Sequence, residues 1–286
     1  MSNIKAAFLD KASLYPDDLD FSLLEKVADW RWFDNAKTSE LYQQLADTEI
    51  VVANKTVLDK ELIGRCNKLK LICVAATGVN NVDVSAAREA GVRVCNVRAY
   101  ATSSVVQHVF SLILALNRKL LPYRESVGSG GWSHSDFFCY FGPSISGLEG
   151  KTMGIIGYGE LGRAVAKLAK CFAMNVVVAH SHDRGAKAVS GEHRVPLATL
   201  LAESDVISLH CPLTESNHHM IAEAELQAMR NDAILINTAR GGLIDESALL
   251  AALKAGEIGA AALDVLEVEP PPEDHPLLGY QSDKLF

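Results

Sequence analysis

Gly157-Tyr158-Gly159-Glu160-Leu161-Gly162 decides how this chain folds, because of what flanks it. Before it runs Lys151-Thr152-Met153-Gly154-Ile155-Ile156, a short apolar stretch that reads as a buried parallel strand. After it runs Arg163-Ala164-Val165-Ala166-Lys167-Leu168-Ala169-Lys170, which has helical spacing and no breaker. Strand, glycine turn and helix, in that order, are the context that makes a G-x-G-x-x-G stretch a dinucleotide site. The first glycine permits a tight turn, the second lets the backbone approach a pyrophosphate, and the third lets the helix pack closely on the strand. The helix N-terminus then points its free N–H groups at the phosphates. An ordinary glycine-rich turn is the bland alternative, and the flanking elements weigh against it.

Outward from this turn, strand and helix patterns alternate along the chain, which implies parallel sheets. In the first part, residues 5–9, 50–53, 71–74 and 93–96 read as strands, with helices over 21–28, 39–46, 59–65 and 84–90. Gly91 reads as a helix stop. In the second part, strands are expected over 152–156, 175–179, 206–210, 233–237 and 259–264, and helices over 161–171, 197–203, 223–229 and 246–255. Between the parts, 105–121 reads as one buried helix, since Gln107, His108, Asn117, Arg118 and Lys119 make it unfit to span a membrane. Residues 126–150 have no periodicity. They read as an ordered loop, because Trp132, Phe137, Phe138, Tyr140 and Phe141 are costly to leave in water.

A length of 286 residues fits two domains. Hydrophobic residues make up 49% and charged residues 22%, enough for a sizeable core. The net charge of -8 argues against a nucleic-acid or anionic-membrane binder. Cys66, Cys73, Cys95, Cys139, Cys171 and Cys211 show neither zinc-ligand nor disulfide spacing, so they read mostly as small buried hydrophobes in a reducing cytosol. The N-terminus reads as a strand, not a signal peptide. The expected location is cytoplasmic, with no metal, membrane or nucleic-acid partner.

Further stretches carry a family likeness: Thr77-Gly78-Val79-Asn80-Asn81-Val82-Asp83, His210-Cys211-Pro212-Leu213-Thr214, Ile236-Asn237-Thr238-Ala239-Arg240-Gly241-Gly242, and Ala262-Leu263-Asp264-Val265 with Glu269-Pro270-Pro271. With the glycine turn, in this order, they resemble the D-isomer-specific 2-hydroxyacid dehydrogenases. Trp132-Ser133 followed by Phe137-Phe138-Cys139-Tyr140 is most similar to the glycerate dehydrogenase (hydroxypyruvate reductase) branch. The resemblance implies an α/β chain with two parallel-sheet domains. A flavodoxin-like substrate domain would span 1–100, without its usual C-terminal return segment. A Rossmann NAD(P)-binding domain would span 101–286 and include an interdomain helix over 104–121. It also implies a homodimer that exchanges the 105–121 helix and the 131–141 aromatic loop, and a small 2-oxo or 2-hydroxy acid as substrate.

Hydride transfer to a 2-oxo acid needs a carboxylate anchor, a proton source and a nicotinamide held at the carbonyl carbon. Arg240 suits the role of anchor, since its guanidinium is planar, permanently charged and able to grip through two N–H groups. It follows an expected strand, at the edge where open α/β sheets bind ligands. The Thr77-Gly78-Val79 backbone could form an anion nest for the same carboxylate. The resemblance implies that Asp264 accepts a hydrogen bond from the nicotinamide carboxamide and that Glu269 orients a catalytic histidine. It implies a cofactor set of Thr102, Gly157, Tyr158, Gly159, Glu160, Leu161, Gly162, His210, Cys211, Pro212, Thr238, Ala239 and Arg240.

That histidine would follow Glu269 in a Thr-Pro-His stretch after a short strand. Here Pro276-Leu277-Leu278 is followed by Lys284-Leu285-Phe286, which resembles the strand's start, and the given sequence stops. The expectation is weak or absent turnover by the 286 residues alone, or a non-catalytic, truncated paralogue that binds NAD(P)H or a dimer partner. Loss of a general acid costs on the order of 10²–10⁴ in rate. His275 reads as a solvated loop residue, His108 as a packed helix residue and His210 as a cofactor-side residue.

The acid that holds the ribose hydroxyls in NAD enzymes belongs at the end of the second strand. Here Val176-Val177-Val178-Ala179 is followed by His180-Ser181-His182-Asp183-Arg184. Without the acid, Ser181, His182 or Arg184 could meet a 2′-phosphate, while Asp183 could still serve NAD. The reading favours NADP and leaves NAD open.

Overall fold

The computed structural model describes residues 4–15, 18–36, 38–180 and 193–286. The chain forms two compact units, Met1–Tyr100 and Ala101–Phe286.

The first unit holds β1 (Lys5–Phe8), α1 (Ser22–Glu25), β2 (Asp29–Trp32), α2 (Thr38–Gln44), β3 (Ile50–Ala53), α3 (Lys60–Arg65), β4 (Leu71–Val74), α4 (Val84–Glu89) and β5 (Arg93–Asn96). All five strands are parallel, in the order β2-β1-β3-β4-β5, one of the doubly wound orders. Asp59 and Asp83 start α3 and α4 by accepting the amides of Leu62 and Ala86, both at 2.8 Å. Gly91 takes φ 72° just after α4, as a helix stop requires. Leu9, Val51, Ala53, Ile72 and Val74 join the helices in one core, while Phe8 faces the other way and stacks on Trp32 at 5.7 Å.

The edge strand β2 was not expected. Asp29-Trp30-Arg31-Trp32 mixes charge with aromatics, and its apolar anchors are the two tryptophans, stacked on each other at 5.2 Å.

The second unit holds α5 (Thr102–Asn117), α6 (Leu120–Gly128), β6 (Thr152–Ile156), α7 (Glu160–Cys171), β7 (Asn175–Ala179), β8 (Arg194–Val195), α8 (Leu197–Glu203), β9 (Val206–Leu209), α9 (Glu223–Gln227), β10 (Ile234–Asn237), α10 (Glu246–Ala255) and β11 (Ala260–Leu263). Its sheet is parallel, in the order β11-β10-β9-β6-β7-β8. This is the dinucleotide-fold order, with the strand sequence reversing beside β6. Lys284–Phe286 extends the sheet, pairing with β11 through Ala261 N to Lys284 O and Leu263 N to Phe286 O, both 2.8 Å. Alternate residues enter opposite cores: Met153 and Ile155 lie on one face and Ile156 on the other. Ile234 and Ile236 likewise oppose Leu235. A sheet buried on both faces explains the continuous apolar runs.

Three expectations need correction here. The single helix over 105–121 is two helices, with the chain turning at Lys119 in a left-handed conformation (φ 52°). Pro122 supplies the reason: in a continuous helix its ring would strike the carbonyl of Arg118, whereas in the first turn of α6 it is tolerated. The aromatic loop is not covered within the chain, since Phe138 is 92% and Phe141 83% exposed. Tyr140 packs edge-on to Tyr123 at 5.9 Å, and Trp132 Nε1 donates to Phe138 O at 3.0 Å. The cysteines are not mostly buried either. Cys66 is buried, but Cys95, on an edge strand, and Cys171, in the last turn of α7, are exposed. No helix among the described residues is long and apolar enough to cross a membrane.

Candidate functional site

The carboxyl ends of β6, β9, β10 and β11 carry most of the residues singled out from the sequence. At the end of β6, each glycine has its own steric reason. Gly157 has φ 96°, and a Cβ there would lie 2.4 Å from the Cys211 amide. A Cβ on Gly162 would lie 2.1 Å from the Gly157 carbonyl oxygen, so only glycine lets α7 pack on the turn. Gly159 differs: a Cβ there meets nothing within 4 Å. Its neighbourhood is open, and the amides of the first turn of α7 follow directly. Thr102, at the start of α5, donates its hydroxyl to the Glu160 carboxylate and so joins the two helix starts. Leu161 lies half-buried in the first turn of α7.

His180 follows β7 and is exposed, with its amide on Val195 O at 2.9 Å. Ser181, His182 and Arg184 lie outside the described residues, as does Asp183. Arg194, which the sequence reading missed, stands on β8 beside this strand end. Its guanidinium lies 5.7 Å from the Tyr158 ring centroid and donates to Ala179 O at 3.2 Å. Its Nε is buried without a partner among the described residues. The two-residue β8 gave no sequence signal that could have found it.

At the end of β9, the His210 ring pairs through Nε2 with Ser208 Oγ at 2.9 Å. Its Nδ1 is buried and has no partner among the described residues. Burial pushes its pKa down to about 4, so the ring is neutral. Burial also raises the Cys211 thiol, which removes it as a thiolate. Pro212 O accepts Asn217 Nδ2 at 2.8 Å, which fixes the following loop.

At the end of β10, buried Asn237 shapes the next turn. Its Oδ1 accepts the Ala239 amide at 3.0 Å, and its Nδ2 donates to Arg240 O at 2.8 Å. Thr238 Oγ1 is buried without a partner among the described residues. Arg240 is half-buried, with Nη1 on Ala239 O at 2.6 Å. Asp264, beyond β11, lies 3.4 Å from His108 Nε2. His108 is therefore a half-exposed partner of Asp264 and not a packed helix residue, because it faces out beside that strand end.

Glu269 accepts the Leu266 amide at 3.0 Å and closes its own turn. Among the described residues no histidine pairs with it. His275 instead binds Glu246 at 2.9 Å, with its side chain only 11% exposed. It is neither solvated, as expected, nor placed to serve Glu269, because Glu246 on α10 holds it. In the first unit, Thr77-Gly78-Val79 forms the turn after β4. Thr77 Oγ1 donates to Val97 O at 2.9 Å, and Thr77 O accepts Asn96 Nδ2 at 2.7 Å. The turn is held by β5 and its side chains are committed.

The residues of the second unit fit a dinucleotide. The open position at Gly159 and the amides of α7 suit a pyrophosphate. Thr238 Oγ1 and His210 Nδ1 are buried polar atoms that await a partner.

Comparison with known proteins agrees with this geometry. Residues 110–284 match the family model described as the NAD-binding domain of D-isomer specific 2-hydroxyacid dehydrogenases. The chain is 42% identical over 267 residues to a glycerate dehydrogenase of Methylorubrum extorquens, covering 93% of this chain and 82% of that protein. Among solved structures, it is similar to an acyclic imino acid reductase in complex with NADPH and D-Arg, at 32% identity and a TM-score of 0.85, covering 98% of this chain and 87% of that one. It is also similar to a D-lactate dehydrogenase of Aquifex aeolicus complexed with NAD and lactic acid, at 28% identity and a TM-score of 0.83, covering 98% and 86%.

Proposed function

The chain belongs to the D-isomer-specific 2-hydroxyacid dehydrogenases, and on that premise we propose that it interconverts hydroxypyruvate or glyoxylate and the matching 2-hydroxy acid. The observation that carries this reading is the glycine turn, closed by sterics at Gly157 and Gly162 and open at Gly159. The bound nicotinamide supplies the hydride. The chain's own residues bind and orient. Gly157 to Gly162 hold the pyrophosphate through backbone amides, with Thr102 and Glu160 bracing the turn. His210, Cys211, Pro212, Thr238 and Ala239 line the cofactor, and Asp264 accepts from the carboxamide. Arg240 grips the substrate carboxylate or 2-oxo oxygen, and the Thr77-Gly78-Val79 amides form a nest of the kind that suits a carboxylate. Glu269 would be the carboxylate that orients a proton-donating imidazolium, which no histidine among the described residues supplies beside it.

NADP is proposed over NAD. The support is the absence of an acid at His180 and the guanidinium of Arg194 beside the same strand end. A homodimer is proposed as well. Its support is the apolar surface left bare by Leu120, Leu121, Val127, Trp132, Phe137, Phe138 and Phe141. A cytoplasmic site accords with six free cysteines.

A second reading is cofactor binding without turnover. What favours it is that Glu269 accepts the Leu266 amide and so closes its own turn. One assay separates the two: NADPH and NADH absorbance followed with hydroxypyruvate, glyoxylate and pyruvate, on the chain and on His180→Asp. Turnover with hydroxypyruvate or glyoxylate, and a shift toward NADH in the variant, supports the main reading. Cofactor binding with no turnover of any acid supports the second.

A further inference from the structure

The dehydrogenase reading makes no use of a cluster on the second unit formed by His218, His219 and Glu267. Far apart in sequence, they meet in space. His218 Nε2 lies 2.8 Å from Glu267 Oε1, and His219 Nε2 lies 3.1 Å from Glu267 Oε2. The imidazole rings stack at 3.8 Å between centroids, tilted by 26°. One ligand atom from each residue lies within 4.8 Å of the others. All three side chains reach solvent, at 33–47% exposure.

The convergence is built into the backbone. A Cβ on Gly241 would lie 1.9 Å from the Leu266 carbonyl carbon, so glycine is what lets the Glu267 segment close. On the other side, Gly242 O accepts the His219 amide at 2.8 Å. A Cβ on Gly242 would sit 3.2 Å from the His218 ring. Asn217, just before the histidines, fixes their loop by accepting Thr214 N at 2.6 Å and donating to Pro212 O. The Glu267 amide donates to Glu246 Oε1 at 2.8 Å. His219 itself takes φ 52°, a left-handed conformation uncommon for a residue with a Cβ. Two imidazoles are thus held, from a fixed loop, over one carboxylate.

Two imidazoles and one carboxylate, open to water, are the donor set of a borderline divalent transition metal. They are a poor set for magnesium or calcium, which prefer oxygen. Bonds of about 2.0–2.1 Å in a tetrahedral zinc site put ligand atoms about 3.3 Å apart. The nitrogen–oxygen separations of 2.8 and 3.1 Å need to open only slightly, and the stacked rings need to turn apart so that both lone pairs meet one ion.

We propose that His218, His219 and Glu267 form a zinc-class metal site with three protein ligands and its remaining positions open to solvent. To ligate the ion through Nε2, each imidazole carries its ring proton on Nδ1.

The test is calorimetric titration of zinc into the chelator-treated chain near neutral pH, beside His218→Asn, His219→Asn and Glu267→Gln. Asparagine tolerates the left-handed backbone at 219, and glutamine keeps the shape of Glu267, so these variants keep the loop. Loss of one ligand is expected to weaken binding by about 100-fold or more, at least what loss of an outer-shell partner costs. Cobalt absorption separates this site from the exposed cysteines. One equivalent bound by the wild type, weakened in all three variants and showing nitrogen–oxygen bands, bears the proposal out. It is overturned if millimolar zinc does not bind, if the variants bind as tightly as the wild type, or if a sulfur-to-cobalt charge-transfer band appears.

Discussion

The two units are both parallel sheets wrapped by helices, yet the loops after β1 and β6 are used in opposite ways. In the first unit, the loop after β1 ends in Asp10, which is 3% exposed. Its carboxylate is used up internally: it accepts the amides of Asn54, Lys55 and Thr56 at 2.5–2.9 Å and the Thr56 hydroxyl at 3.0 Å. In the second unit, the loop after β6 has no side chain at Gly159 and leaves an open position beside a helix N-terminus. One strand end is closed by a charged side chain that satisfies its own chain. The other is kept open where two glycines enforce the shape and a third leaves space. A shared architecture therefore says little about which sheet edge binds a ligand, and the side chains at the strand ends decide it.

Substitutions can break this contrast. The largest effect belongs to Gly162→Val, whose Cβ would press on the Gly157 carbonyl. It should cost about 3 kcal/mol or more, the upper part of the overpacking range. Amide exchange in β6 should report the loss, while the first unit stays unchanged.

Next comes pH. His210 has its pKa pushed down to about 4 in the fold, whereas an unfolded histidine titrates near 6.5. Below pH ~6.5 the unfolded chain takes the proton more readily, so the second unit loses stability as pH falls toward 4 and little more below that. The loss should reach about 3 kcal/mol near pH 4. His210→Gln should abolish this part of the acid sensitivity, seen as a flatter dependence of unfolding midpoint on pH.

A smaller effect is expected in the first unit. Asp10→Asn places an amide where only acceptors fit and should cost about 2 kcal/mol, within the range for a buried charged acceptor. Trp30 and Trp32 fluorescence in a Trp132→Phe background reads that unit alone. An unchanged urea midpoint would show that Asp10 does not clamp the 54–56 loop.

Much of this was legible in the residues. The glycine turn carried its meaning because the strand before it and the helix after it were unambiguous. Most other strands showed as apolar runs between helical patterns. What failed has physical causes. β2 is an edge strand of alternating charge and tryptophan, and β8 spans two residues. The break at Lys119 follows from Pro122 only once the start of α6 is known. His108 opposite Asp264, Arg194 over Tyr158, and the pair His275 and Glu246 are all long-range contacts without local pattern. The cluster of His218, His219 and Glu267 depends on a glycine pair, Gly241-Gly242, that brings two distant loops together.

The central claim is that the Gly157 to Gly162 turn holds a dinucleotide pyrophosphate in the space left at Gly159. Calorimetric titration of NADPH and NADH into the wild type and Gly159→Val tests it most directly. A valine there meets no protein atom within 4 Å at its Cβ, so the fold survives, with only the modest cost of a poorer cap on α7. The dissociation constant should rise at least about tenfold, some 1.4 kcal/mol. Equal affinity in the two proteins would contradict it.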